Sequence, residues 1–228
     1  GLSAEGLAGE DEYPVLDGTI TVNANTYEDS IEALRNTFRK LTLNINGEFY
    51  VRFKDAIVQS MIAESYGDGV GTKIEQVKAV RNFGGMFKGN TEITSFDEFE
   101  IFTGYNSNGW NVFDGCLSLI SVKLPSQLKI IYGYMFYDCR ELANIDLRKV
   151  EETQRQAFYN TGLIDVDLEN VVTIAGDAFS KCTRLSRMKI GDKSGIPSGF
   201  AMDCTSLVEL DLGAGVNAIT YAFQHSPL

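Results

Sequence analysis

Apolar residues recur at fixed positions along the second half of the chain. The pattern F-x-x-C-x-x-L-x-x-I-x-L runs from Phe136 to Leu147, and close copies run from Phe113 to Leu124 and from Phe179 to Ile190. In two further copies the pattern is one residue shorter or has its aromatic residue one place early, at Phe200. The cysteine position recurs about every 22 residues, at positions 116, 139, 161, 182, 204 and 226. This period predicts a solenoid, in which each repeat packs against its neighbours.

Alternation within each repeat predicts which side chains are buried. Leu142, Ile145, Leu147 and their equivalents point inward, and the residues between them face outward on a parallel sheet. The phenylalanine column fills the interior from the other wall, and each buried ring contributes about 1.5–3 kcal/mol.

Outward charges alternate in sign between later strands, which predicts a charge ladder. The outward pairs are Ser121 and Lys123, Asn144 and Asp146, Asp165 and Asp167, Arg187 and Lys189, and Glu209 and Asp211.

The first half of the chain has different periodicities. Residues 18–22 alternate and predict a short strand, and the helical spacing of apolar residues after Thr26 predicts a helix that ends near Leu41. Two alternating arms around Asn46-Gly47 predict a hairpin, because that dipeptide accepts the positive φ angles of a type I′ turn. We predict three parts: a disordered tether at 1–13, a small α+β domain at 14–84, and a repeat solenoid at 85–228.

A helix–loop–helix is predicted inside the small domain. Residues 55–64 and 74–80 have helical spacing and flank a loop rich in aspartate and glycine. This order is similar to a calcium-binding loop, with Asp68 and Glu75 as candidate ligands. However, Tyr66 stands where the loop needs a carboxylate. We therefore expect no tight metal site, and weak calcium binding through Asp68 and Glu75 is the alternative.

All four cysteines occupy one repeat position. Equivalent residues of stacked strands lie about 4.8 Å apart with parallel Cβ vectors. A disulfide needs Cβ atoms nearer 3.8 Å that face each other, and a metal needs convergent ligands. We predict a buried ladder of free thiols that behave as small hydrophobic side chains.

Composition and charge narrow the classes of partner. The net charge is −11, and no cluster of Lys and Arg occurs, so nucleic acid and anionic lipid are poor candidates. No run of 18 apolar residues predicts a membrane span. No basic segment followed by an apolar one opens the sequence, so we expect no signal peptide within it.

Aromatic residues in the turns and in one insertion are the candidate ligand contacts. They either pack at the rim of the solenoid or form an exposed contact patch. The outward sheet positions hold no aromatic residue, and sugars usually stack on rings, so the sheet is not favoured as a lectin site. A hydrolase is not favoured either, because His225, the single histidine, has no nucleophile near it in the pattern. The candidates are Tyr105, Trp110, Tyr132, Tyr134, Tyr137 and Tyr159.

The repeat resembles a known family. Phe113 to Pro125, with Leu128, Ile131 and Phe136 after it, resembles the BspA-type leucine-rich repeat proteins, and the resemblance covers about residues 50–228. It implies an α+β fold in which a leucine-rich repeat solenoid with a parallel sheet follows a small N-terminal region. The family consists of bacterial cell-surface and secreted proteins, commonly from relatives of Bacteroides.

What the resemblance implies about function is binding. We expect a non-enzymatic adhesion or binding module at the cell surface or outside the cell, with a signal peptide and a lipid anchor supplied from outside this sequence. Its partner would be a protein or another host ligand. The alternative is an accessory protein that captures glycans or glycoproteins. We expect a monomer without cofactors, and the family has no catalytic residues to carry over.

Overall fold

The computed structural model of the protein describes residues 19–22, 42–45, 48–69, 71–106, 110–192, 195–218 and 220–228. Four strands near the start form one sheet in chain order. They are β1 (Thr19–Val22), β2 (Thr42–Ile45), β3 (Glu48–Val51) and β4 (Thr72–Lys73).

Pairing within this sheet confirms the predicted strand and hairpin arms. β1 runs parallel to β2, whereas β2 and β3 are antiparallel with Leu43 opposite Tyr50. β4 closes the sheet antiparallel to β3. The predicted tether at 1–13, the helix after Thr26 and the turn at Asn46-Gly47 lie outside the described residues.

The two helices of the predicted helix–loop–helix are confirmed as α1 (Ala56–Tyr66) and α2 (Ile74–Ala79). Asp55 is the N-cap of α1, and its Oδ1 accepts hydrogen bonds from the backbone N of Ile57 and Val58. Its Oδ2 accepts bonds from the backbone N and the hydroxyl of Thr94, at 2.8 and 2.9 Å, in the first repeat. One buried carboxylate therefore ties α1 to the start of the solenoid. No helix in the described part of the chain is long and apolar enough to cross a membrane.

The remainder is a solenoid of short parallel strands that form two walls. One wall contains β5 (Ser95–Phe96) paired with β6 (Ser121–Val122), and separately β9 (Asp165–Leu168), β11 (Arg187–Ile190) and β13 (Glu209–Leu212). The other wall contains β7 (Ile130–Ile131), β8 (Glu152–Thr153) and β10 (Thr173–Ile174), followed by β12 (Gly195–Ile196) and β14 (Asn217–Ala218). A 3₁₀ helix (Asp97–Ile101) follows β5.

A column of phenylalanine rings forms the spine of the core. Phe113, Phe136, Phe158 and Phe179 are fully buried and stack at 5.0 to 5.4 Å between ring centroids. Phe179 N donates to the carbonyl of Phe200, just as Phe136 N donates to the carbonyl of Ala157. Phe200 therefore takes a position that holds alanine in earlier repeats, which confirms the one-residue slip read from the pattern.

The cysteines are buried and free, as predicted. They are more than small hydrophobic side chains, because each thiol donates to a backbone carbonyl of the preceding repeat. Cys139 Sγ lies 3.0 Å from the carbonyl oxygen of Phe113, and Cys182 Sγ lies 3.0 Å from that of Phe158. Ser226 makes the same kind of bond to Ala201 at 2.9 Å. The column is therefore a line of hydrogen-bond donors that joins successive repeats.

One predicted strand is missing from the sheet. Residues 144–147 were expected to form a strand with Asn144 and Asp146 facing outward, but they are not in a strand, and Ile145 is half-exposed. Asp146 instead accepts hydrogen bonds from the backbone N and the guanidinium of Arg148, at 3.0 and 2.9 Å. Asp167 in β9 accepts the same kind of bond from Glu169 N, so this bond by itself does not explain the missing strand.

Candidate functional site

The sheet wall carries the predicted charge ladder. Arg187 pairs in register with Asp165 on one side and Glu209 on the other. Its guanidinium lies 2.9 Å from the Asp165 carboxylate, whereas Lys189 reaches Glu169 at 3.0 Å. Charges of opposite sign therefore lie beside each other on neighbouring strands. This pairing explains the outward charges without a ligand.

A groove of about 570 Å³ lies beside the missing strand. Its floor is apolar, and its charged rim pairs internally: Lys123 contacts Glu100 at 3.6 Å, and Arg148 contacts Asp146 at 2.6 Å. The Arg148 side chain lowers the pKa of Asp146 to about 2. The rim charges balance one another, so the groove indicates no particular class of ligand.

Each candidate ligand of the helix–loop–helix has a partner close to it in sequence. Asp68 Oδ1 accepts a hydrogen bond from Gly71 N at 2.7 Å, and Glu75 pairs with Lys78 at 3.2 Å. Asp68 therefore closes its own loop, and Glu75 lies on the exposed side of α2. In the described parts of the chain, no group of three or more His, Cys, Asp or Glu residues could hold a metal ion. The expectation about calcium remains a prediction.

His225 forms a pair that the sequence pattern did not reveal. Its Nδ1 lies 2.7 Å from Asp203 Oδ1 on the surface. The spacing between Asp203 and His225 is 22 residues, which equals the repeat period. This spacing is the signal that could have identified the two residues as neighbours in stacked repeats. The adjacent hydroxyl of Ser226 donates to Ala201 O, so it is not aligned with His225 as a nucleophile.

Four of the candidate aromatic residues meet on the turns of adjacent repeats. We name Trp110, Tyr134, Tyr137, Tyr159 and Lys181 the aromatic ridge. Successive ring centroids lie 6.0 Å apart from Trp110 to Tyr134, 5.7 Å from Tyr134 to Tyr137 and 4.8 Å from Tyr137 to Tyr159. The last two rings are parallel within 3°. Lys181 Nζ ends the row, 5.4 Å from the ring centroid of Tyr159.

The ridge is accessible at the surface. The side chain of Trp110 is 48% exposed, and the three tyrosines are half-buried. A Cβ added at Gly133 would lie 2.8 Å from the indole of Trp110, so the ring rests directly on backbone. The geometry therefore provides a firm aromatic surface with exposed edges.

The other two aromatic candidates lie elsewhere. Tyr105 is 1% exposed and packs at 5.0 Å from both Phe83 and Phe99, so it belongs to the core. Tyr132 is partly buried and also packs against the core. Neither residue is part of the aromatic ridge.

Two ridge residues, Tyr137 and Lys181, have raised pKa values. Burial raises the pKa of Tyr137, and the carboxylates of Asp138 and Asp114 raise it further. The hydroxyl of Tyr159 raises the pKa of Lys181, with a smaller contribution from Asp203.

Two ridge residues have a backbone conformation that their side chains disfavour. Tyr134 has φ 58° and Lys181 has φ 62°, in the left-handed region. Both positions are left-handed in every later repeat. The residues equivalent to Lys181 are Gly115, Asp138, Asn160, Asp203 and His225, and those equivalent to Tyr134 are Asn111, Gln156, Asp177, Gly199 and Tyr221. Sequence reasoning missed Lys181, although its repeat position, one residue before the cysteine, marks it as a neighbour of Asn160.

Comparison with known proteins identifies the family of the repeat. The BspA type Leucine rich repeat region matches residues 86–228 in six copies. The chain belongs to this BspA-type family. BspA-type leucine-rich repeat proteins are typically surface or secreted proteins, and the repeat is associated with interaction with other proteins. Comparison with curated proteins finds no match.

Solved structures agree with the family at the level of the fold. A crystal structure of a T. pallidum leucine-rich repeat protein is similar over 63% of this chain and 72% of that chain, with 23% identity and a TM-score of 0.50. A leucine-rich repeat protein from Bacteroides ovatus matches over 59% of each chain, with 15% identity and a TM-score of 0.28. The first likeness shows a shared fold and nothing about ligands.

Proposed function

We propose that this BspA-type protein is a non-enzymatic binding module, displayed at a cell surface or secreted, that binds a protein partner through the aromatic ridge. The observation that carries the proposal is the row of Trp110, Tyr134, Tyr137 and Tyr159 rings at 4.8 to 6.0 Å. Tryptophan and tyrosine dominate the residues that contribute most to protein–protein binding. They offer a large contact area at a low cost in conformational entropy.

A protein fits the ridge better than a glycan. Sugars bind aromatic residues chiefly by stacking on an open ring face. The Tyr137 and Tyr159 rings face each other, and the amine of Lys181 covers the ring of Tyr159. One side of Trp110 rests on Gly133. The ring surface left open at Trp110 and Tyr134 is tilted by 39° between the two rings, so it does not form one flat platform on which a sugar ring could stack.

The test uses a protein array and a glycan array, each probed with the labelled chain and with matched variants. Tyr134→Ala should remove most binding to the protein array. Tyr221→Ala is the control, because Tyr221 occupies the equivalent turn position with φ 70° and is 62% exposed but lies beyond the ridge. Binding to glycans alone, or equal binding by both variants, would contradict the proposal.

A further inference from the structure

The surroundings of the aromatic ridge point to the chemistry of its partner. We infer that the end of the ridge formed by Trp110, Tyr134 and Tyr137 recognises an arginine side chain of the partner protein. This inference rests on the proposed function, because it names the residue type that a protein partner would place on the ridge.

A cation already occupies the opposite end of the ridge. Lys181 Nζ lies 5.4 Å from the ring of Tyr159, the distance of a cation–π contact. In the described part of the chain, no such contact involves Trp110, Tyr134 or Tyr137. Their rings are tilted by 39° and 46° to their neighbours, which leaves ring surface that the parallel Tyr137–Tyr159 pair does not. Within the described residues, the aromatic surface at the Trp110 end of the ridge therefore has no cation bound to it, unlike the Tyr159 end.

Two carboxylates lie beside the same rings. Asp138 follows Tyr137 directly, and Asp114 precedes Gly115, whose backbone N donates to the carbonyl of Tyr137 at 2.8 Å. Asp114 is already paired with Lys88 at 2.9 Å. Asp138 accepts hydrogen bonds from Asn160 and, at 3.5 Å, from Arg140, and both bonds go to Oδ1. A carboxylate has about four lone-pair sites, so Asp138 retains capacity for another donor.

Arginine satisfies both features together. Its planar guanidinium stacks on an aromatic face and binds a carboxylate through two parallel hydrogen bonds. Lysine offers a point charge that does neither as well, and a neutral glycan gains nothing from Asp138. The surface around Tyr137 thus combines an aromatic contact and an acidic contact for one side chain.

The experiment is a selection of random 12-residue peptides displayed on phage against the immobilised full chain. We expect the selected peptides to be enriched in arginine and to quench the fluorescence of Trp110, the single tryptophan. Replacing arginine by lysine in a selected peptide should weaken binding, and replacing it by glutamine should weaken it further. Asp138→Asn should weaken binding by about fivefold or more, and added salt should reduce the wild-type affinity. Asp165→Asn, on the sheet wall, should leave the affinity unchanged.

The outcomes separate this inference from the proposed function. Peptides that require Tyr134 and Tyr137 but contain no enriched arginine, or that bind Asp138→Asn as well as wild type, would overturn the inference and leave the proposed function standing. Peptides indifferent to Tyr134→Ala and Tyr137→Ala, or no enrichment at all, would overturn both. Tyr137→Phe, which keeps the ring, distinguishes loss of contact from loss of folding.

Discussion

At the scale of single residues, the repeat position decides what a side chain does. The cysteine column combines burial with a hydrogen bond to the previous repeat, and the hydroxyl of Ser226 makes the same kind of bond. Thr161 in this column instead donates to Phe158 O within its own repeat. Burial raises the pKa of Cys116 to about 12, and it also raises that of Cys139. Since the thiolate is the reactive form, these groups should be inert in the folded protein.

We predict that the native protein shows no reactive thiol and that the denatured protein shows four. The reason is that all four cysteines are buried and not joined in disulfides. Titration with an aromatic disulfide reagent, first without and then with guanidinium chloride, measures both numbers. The variant Thr205→Cys adds an exposed thiol and should give one immediate reaction. Fewer than four thiols after denaturation would contradict the free-thiol ladder.

At the scale of elements, hydrogen bonds and charges join pieces that are distant in sequence. Asp55 links α1 to the first repeat through Thr94, and its side chain is mostly buried. Burial alone would raise the pKa of Asp55, but the hydrogen bonds from Thr94, Val58 and Ile57 outweigh it, and the pKa is lowered. The ionised carboxylate is therefore the form that stabilises the fold.

Asp55→Ala should reduce the free energy of unfolding by about 2–4 kcal/mol, because it removes an N-cap and several charge-assisted bonds. A lowered pKa means that this stabilisation is present above the unfolded pKa of about 3.9 and is lost as pH falls through the folded pKa. Denaturant unfolding at pH 7 and pH 2.5 should show the difference between wild type and Asp55→Asn shrinking at acid pH. Asp97→Asn, a control nearby, should change stability by less than about 0.5 kcal/mol. A difference that is constant with pH would contradict this role for Asp55.

Arg187→Glu should destabilise the protein by about 1 kcal/mol at low salt and by less at high salt, since it turns attraction to Asp165 and Glu209 into repulsion. Arg187→Met removes the attraction without adding repulsion, so its effect should be smaller. Thermal melts at two salt concentrations measure both effects. If Arg187→Glu kept its stability but lost partner binding, the sheet wall would be the binding surface.

At the scale of the whole molecule, one hydrophobic core runs from Val51 to Ala222. Phe83, which follows α2, packs against Phe87, Phe96, Phe99 and Phe102 at 5.1 to 5.7 Å between ring centroids. The N-terminal helices thus cover the first repeat, whose phenylalanine rings would otherwise be exposed. A repeat array needs such a cap at its end for solubility and cooperativity.

Phe83→Ala should cost about 3–5 kcal/mol, as expected for a large ring removed from a close-packed core. Because the core is continuous, we expect a single unfolding transition that moves to lower denaturant concentration. Phe83→Leu, which preserves more volume, should cost less. Fluorescence and circular dichroism monitored together test this prediction, and two separated transitions would contradict it.

By itself, the sequence determined the period, the buried columns and the register of the later strands. A strict repeat forces equivalent residues into neighbouring positions, so Arg187 could be placed beside Asp165 before any coordinates were known. The arrangement of non-repeating parts depended on tertiary structure. The ring of Tyr105 lies in the core against Phe83, and residues 144–147 form no strand although they fit the repeat pattern. Within the aromatic ridge, the period places Tyr137 beside Tyr159, because both stand two residues before the cysteine position. The contacts of Trp110 with Tyr134 and of Lys181 with Tyr159 join different repeat positions, so only the fold revealed them.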